Sequence, residues 1–598
     1  MKRKLPNVTI VIAVLFSVFF TTALHSQDLP VLRAMEDELQ RTMKNLKLGK
    51  EKPPYYVAYR VDDEEKITIS GRFGAIVEDG LNRERKLYVD LRVGDYDFDN
   101  ANFVPMSDYG FSFGAGDNAV QLPLDDDYDA IRQKIWLATD ERYKEAIDVL
   151  FRKKSFLAHK EITEKIPDFS QSTSYVMIAE PQKLKVDRVS WLKNIREISS
   201  LFRQYPKIQT SKVFFSVRRL TRYFIDSEGN KQITNSSIVR IEAWASTRTK
   251  TGAEVKNAVN ILAPTPEDLP PISAIMNRIK AMAETLSYYT EAKEEKDYTG
   301  PVLFDGSAAG QLFYQLFGKG VSDTRKPLYE QEGMSEMVED KTGFLADRLE
   351  KLVLPKEFSV EDDPTLTKFN NIPLIGGYLI DDEGVRAERI ELVKAGRLVS
   401  LPVSRRPTKE IKKSNGHGRY FNGTVRSYIS NLIVQSEKTT LDLEKELIAL
   451  CKDNDLEYGI VITQLATSLP KTTEEMVEEI YSYFGGSKTE IPLLNAPLIA
   501  YKLYTDGRKE LIRGLKFEGV TPAVLKDIVA VGRIMNVHNA IIQERFGSGY
   551  LPISVVAPSV IVQKMTLTGK EEKAKKPPFL PHPYFGKIDF IGAVLPNR

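Results

Sequence analysis

Four histidines and one cysteine carry most of the chemistry open to this 598-residue sequence, once His25 in an apolar leader is set aside. His159, His417, His538 and His582 lie far apart, and no two stand at metal-ligand spacing. Cys451, in LIALCKDND, shares a helical stripe with Leu447, Ile448 and Leu450 and reads as a packed core thiol. A single cysteine allows no internal disulfide. Ser468–Lys471 spells SLPK, a bare SxxK pattern, but Pro470 interrupts the helix such a pair needs. Asp95, Asp97 and Asp99 fail as a calcium loop, because the sixth position is Asn100 and the twelfth is Met106. The sequence has no GxxxxGK[ST] phosphate loop, no GxSxG elbow and no CxxC pair. One basic, glycine-broken stretch, RRPTKEIKKSNGHGRYFNG, holds Arg405, Arg406, Asn415, His417 and Arg419. It has two readings: amides and cations that meet a peptide or partner, or a solvated surface loop. Its composition favours the second.

The elements that must position these residues fall into two halves. LPVLRAMEDELQRTMKNLKLG predicts an amphipathic helix ended by Gly49. PPYYVAYRVDD, KITISGRFGAIVEDG and RKLYVDLRVGDYDF alternate apolar and polar residues, which predicts an antiparallel meander. Asp125, Asp126 and Asp127 open a long helical stretch, where carboxylates favour the helix dipole. A helix at VSWLKNIREISSLFRQY, further strands and a helix at LPPISAIMNRIKAMAETLSYY complete an α+β domain over 27–295. Short strands broken by helices follow over 296–568, and they predict a β-rich, barrel-like domain with attached helices. GKEEKAKKPP opens a linker and tail over 569–598.

Composition narrows the function classes. The chain is 42% hydrophobic and 28% charged, with a formal net charge of +2, so nothing calls for nucleic acid as a partner. MKRK, then VTIVIAVLFSVFF, then TTALHSQ predicts a secretory signal peptide over 1–26. Its removal takes away three cations and no acid, leaving −1. An uncleaved anchor is the other reading, though the apolar run is short for a span. After cleavage no transmembrane segment is expected, and the protein is expected in the periplasm of a Gram-negative-type envelope.

Residues 306–320 read GSAAGQLFYQLFGKG. Ala308, Ala309, Leu312, Phe313, Leu316 and Phe317 form one apolar stripe at helical spacing, and Gly318 is expected to end the helix. Taken with its surroundings this stretch has a relative. YTGPVLFDGSAAGQLFYQLFGKGVS, GGYLIDDEGVRAERIELVKAGRLVSLPVSRRPTKEIKKSNGHGRY, SNLIVQSEKTTLDLEKELI and GLKFEGVTPAVLKDIVAVG, in that order, resemble the TldD/PmbA family, once described as modulators of DNA gyrase and now seen as metallopeptidases. The resemblance is strongest over about 297–566.

It implies a zinc-peptidase framework with its centre altered. TldD-type members carry HExxxH on this helix, with zinc on the histidines and a Glu that polarises water. TldE or PmbA members lack the motif and pair with an active subunit. Here Tyr314 and Lys319 stand at the histidine positions and Gln315 at the Glu position. Tyrosine ligates poorly unless deprotonated, glutamine cannot act as a base, and an ammonium has no lone pair. In an ideal α-helix residues five apart point about 140° apart, so one metal could be shared only if the helix ends or distorts near Lys319. The implied reading is a non-catalytic subunit of a peptidase complex acting on peptides. It holds no cofactor, and zinc is expected in an HExxxH-bearing partner; self-association is the other arrangement. Two alternatives stay open: an active metallopeptidase with a displaced site around His417, and an envelope peptide-binding or scaffold protein.

Overall fold

The computed structural model describes residues 29–106, 119–160, 165–331, 341–421, 424–466, 469, 492–543 and 550–569. The leader over 1–26, the tail after 569, His582 and most of SLPK lie outside the described residues.

The first half is built on long antiparallel strands, Tyr56–Arg72, Ala75–Arg92, Thr210–Asp226, Lys231–Arg248 and Glu254–Ala263. Ala75–Arg92 and Thr210–Asp226 flank Tyr56–Arg72, and the other two follow in order. The meander expected as three short strands is two long ones, turned at Phe73 and Gly74, both at positive φ. Glu64 and Glu65, which fall between two of the expected strands, lie mid-strand with Asp62 and Asp63. They stay there because basic residues oppose them: Asp63 meets Arg85 at 2.6 Å, and Glu64 meets Arg218 at 2.5 Å.

Strand alternation sends the two faces to different tasks. Odd-numbered Val57, Tyr59, Val61, Ile69, Val213, Phe215 and Ile225 are buried on one face. Helices Pro30–Asn45 and Tyr128–Ala158 cover one end of it, and Arg188–Ser200 and Ile272–Tyr289 the other. Trp191 stacks on Phe215 with centroids 3.9 Å apart. Asp127 caps the long helix by accepting from Ala130 N at 2.8 Å, the role expected of the acid run. The even face carries Tyr56, Arg60, Asp62, Arg222 and Phe224, and it meets the second half of the chain.

That second half is a twelve-stranded mixed sheet centred on the long strand Tyr550–Gly569. Asp297–Phe304 runs antiparallel to it, and Tyr458–Leu465 runs parallel to Asp297–Phe304. The α+β expectation therefore holds. The barrel-like part is refined, because the sheet forks at Tyr550–Gly569 and its strand path ends at Arg397–Leu398 and Lys293–Glu294 rather than closing. No helix among the described residues is long and apolar enough to cross a membrane.

Cys451 lies on helix Leu443–Asp453, fully buried against Leu447, Leu303, Val461 and Ile561. Burial pushes its thiol up to about 11. The native protein is thus expected to resist thiol reagents at pH 8 and to take up one equivalent on unfolding. Titration with a chromogenic disulfide, with and without guanidinium, checks this, and full labelling without denaturant would contradict it.

Candidate functional site

The segment 306–320 carries a deeply buried helix. Ala308, Ala309, Leu312, Phe313, Leu316 and Phe317 are each fully buried in the main core. Gly310 lets the helix pass a strand closely, since a Cβ there would lie 2.5 Å from His538 Cβ.

Gly318 does not end the helix. The α-helix Ser307–Phe313 passes into a π turn, Tyr314–Gly318, and then into a last α turn, Lys319–Val321. Gly318 keeps helical angles, φ −55° and ψ −46°. A Cβ there would come 2.7 Å from Ile429 Cδ1, so packing is what calls for glycine. The π turn is the distortion that five-residue spacing requires. Lys319 N donates to Tyr314 O, an i→i+5 bond that sets Lys319 above Tyr314. The Lys319 Nζ lies 5.7 Å from the Tyr314 ring centroid. Both side chains are half-buried on one face.

Gln315 points elsewhere. It is 2% exposed; its Oε1 accepts from Asn495 N at 2.8 Å and its Nε2 donates to Gln311 O at 3.2 Å. One turn earlier, Gln311 Oε1 accepts from Leu465 N at 2.8 Å. The two amides fasten the helix to backbone on either side of 467–491. As a set, Tyr314, Gln315 and Lys319 offer a phenol, a committed amide and an ammonium, which does not fit zinc. Among the described residues no group of three His, Cys, Asp or Glu side chains could hold a metal.

The basic stretch 405–419 is solvated only at its tip, where Lys409, Glu410, Lys412 and Lys413 are exposed. Ser404, Arg405 and His417 are buried, and Arg405 is buried against the polar face of the first half. Arg405 reaches across to it. Its Nη2 donates to Glu228 Oε1 at 2.7 Å, its Nε to Ser170 O at 2.9 Å, and its Nη1 to the Tyr56 hydroxyl at 3.2 Å. Its guanidinium lies 3.9 Å from the Phe169 centroid. His417 sits between Asp362 Oδ2, 3.1 Å from its Nε2, and Asn415 Oδ1, 2.9 Å from its Nδ1. Asn415 also donates to Leu401 O and accepts from Val403 N. Arg419 lies over the Tyr378 ring at 4.3 Å and beside Asp382. Arg406 reaches Thr424 Oγ1. Loop and helix meet through 427–429: Asp323 N donates to Ser427 O, and Tyr428 N to His417 O.

Sequence reasoning passed over Asp381, Asp382 and Glu383, which look like a plain acidic turn before Gly384. All three are buried. Burial, reinforced by Glu383, pushes Asp381 well above the carboxylate range. Burial also raises Glu383, against the pull of the Arg405 amide and guanidinium. Asp382 goes the other way: burial opposes it, but Arg222, Arg419 and Arg60 draw it down to about 2. Arg60 is itself clamped between Tyr88 and Tyr420, 3.9 Å from each centroid. The signal was the unbroken acid triplet, and its partners are remote in sequence: Asp382 and Arg60 lie 322 positions apart.

The site is thus a buried helix that opens a five-residue interval with a π turn and places a phenol and an ammonium, not zinc donors, on one face. Residues 297–477 match the family model for the PmbA/TldA metallopeptidase C-terminal domain. The resemblance to the TldD/PmbA family is thus shown, and that domain contains the altered helix. A metalloprotease from Archaeoglobus fulgidus is 29% identical over 153 residues, 25% of this chain; the chain spans 31% of that relative's length. Among solved structures, TldE from Thermococcus kodakarensis matches with a TM-score of 0.54 at 12% identity, over 90% of this chain and 100% of that one. A candidate modulator of a DNA gyrase from Thermotoga maritima matches at 0.52 and 14%, over 86% and 96%. Another from Bacteroides thetaiotaomicron matches at 0.52 and 12%, over 90% and 98%. At these identities the structural likeness speaks for the fold alone.

Proposed function

We propose that this chain is the non-catalytic subunit of an exported TldD/PmbA-type peptidase complex, pairing with an HExxxH-bearing relative that supplies the zinc. One observation carries the reading. The π turn holds positions 314 and 319 on one face, as a shared metal would need, while their side chains are Tyr and Lys. A backbone device kept without its donors fits a subunit that shapes a chamber for peptides. The fold is one that TldE from Thermococcus kodakarensis also has, so the proposed assignment asks for no change of architecture. The displaced-site alternative is disfavoured by His417, whose ring is fully enclosed by Asp362 and Asn415.

The test is zinc analysis of the chain from residue 27 purified alone, with co-purification from the envelope fraction. The expected result is less than a tenth of an equivalent of zinc, no peptidase activity alone, and capture of a zinc-bearing relative with activity in the complex. Stoichiometric zinc or peptidase activity in the isolated chain would overturn the proposal. Capture of further copies of this chain alone would assign it to the scaffold class.

A further inference from the structure

Past the last turn of the altered helix, the chain enters a small pocket with three arginines. Thr324, Arg325, Ser404, Arg406, Thr408 and Arg426 line it, with Asp323 at one side. Its enclosed space is about 10 Å³, room for about one water-sized group such as a single carboxylate oxygen at its mouth.

The charges in the pocket do not balance. Asp323 is its one carboxylate, and it already accepts from Arg426 Nη1 at 2.7 Å and Lys326 Nζ at 2.9 Å. Arg325 shares Asp168 with Lys153, at 3.2 and 2.6 Å, and spends its remaining donors on the carbonyls of Ile166, Pro167 and Pro407. Arg406 forms no ion pair with a carboxylate among the described residues, and its recorded bond goes to Thr424 Oγ1. Arg406 Nε, Arg426 Nε and Thr324 Oγ1 are buried donors without a hydrogen-bond partner among the described residues. A guanidinium cannot shed its proton to relieve this. Burial, helped by Arg426 and Arg92 and only partly offset by Glu383 and Asp323, draws Arg406 down to about 10. Unpaired buried donors around an excess of positive charge are costly unless an acceptor arrives.

We propose that this pocket binds a carboxylate, held by Arg406 and Arg426 with Thr324 and Ser404 beside them. An arginine fork meets the two oxygens of a planar carboxylate better than a point charge does. The occupant assigned is the free C-terminus of a peptide, a step that rests on the peptidase-complex reading. The carboxylate site itself stands without that reading.

Calorimetric titration and thermal shift on the isolated mature chain test this at constant ionic strength. The probes are N-acetyl-trialanine, its C-terminal amide and sodium acetate. The free-acid peptide is expected to bind and raise the melting temperature, and the amide to bind at least tenfold more weakly. Arg406→Gln is expected to weaken free-acid binding by tenfold or more, and Arg406→Lys, which keeps charge but not the fork, by several-fold. Should Arg406→Gln not fold, Thr324→Val is expected to weaken binding in the same direction. Acetate binding as tightly as the peptide would support the carboxylate site and assign it to a free small acid. No binding of any carboxylate, equal binding of acid and amide, or an unchanged response in the Arg406 variants would overturn the proposal. Since no zinc and no partner enters the assay, its failure is separate from failure of the complex.

Discussion

Arg405→Ala is expected to cost about 3–5 kcal/mol of stability, the range for removing one side of a buried ion pair. With domains holding about 5–15 kcal/mol in total, that is a large share. The cause is what remains behind. Arg405 is fully buried, and Tyr56, Ser170, Asp226 and Glu228 converge on it from the first half of the chain. Without it, buried Asp226 and half-buried Glu228 lose the cation they share. Burial already raises Asp226 above its ordinary range even with Arg405 present, and removal would raise it further. A carboxyl whose folded pKa exceeds its unfolded value binds more protons folded than unfolded, so stability falls as pH rises. The loss in Arg405→Ala is therefore expected to be largest at neutral pH and to shrink as pH falls towards about 4, where the unfolded carboxyls also protonate. Guanidinium unfolding curves at pH 7.5 and 4.5 check this. Arg405→Lys should recover part of the loss, because an ammonium restores charge but cannot serve three acceptors in one plane. An alanine variant with the parental midpoint at both pH values would refute the clasp.

Why that clasp was not legible in the sequence shows where local patterns stop. Helix starts were readable, because Asp127 acts on an amide three residues away. So was the burial of Cys451, since its stripe repeats within one helix. The stretch 405–419 was misread, because its charges are satisfied by residues such as Glu228 and Asp362 that composition cannot place beside it. The same blindness cut Tyr56–Arg72 in two: the first predicted strand stops at Asp63, because nothing local shows that Arg222, Arg85 and Arg218 face Asp62, Asp63 and Glu64. The π turn is the subtler case. Nothing in LFYQLFGK marks a five-residue bond. Only the comparison of positions 314 and 319 with a five-residue ligand interval required a distortion, and it left open which kind. Gly318 suggested an end; the structure spends that glycine on the close approach of Ile429 instead.

Gln315→Glu, which places at this position the Glu that the family resemblance implies for TldD-type members, is expected to destabilise this chain. The amide donates to Gln311 O and accepts from Asn495 N, both within the core. A carboxylate keeps the second bond but turns an oxygen lone pair towards the Gln311 carbonyl. Only the protonated acid reproduces the glutamine pattern. Desolvation and that carbonyl both favour the neutral form, so the folded pKa is expected above the unfolded value of about 4.3. The sign follows: the variant should match the parent near pH 4 and fall behind it as pH rises, by about 1–3 kcal/mol at pH 8. Thermal unfolding of both proteins from pH 4 to pH 8 measures the divergence. A variant as stable as the parent at pH 8 would mean that the carboxylate has found a cation or solvent there. Position 315 would then be an open catalytic position rather than a fastening. The predicted divergence would instead make Gln315 a fastening, a neutral amide that holds the helix to Asn495 at a pH where an acid would not.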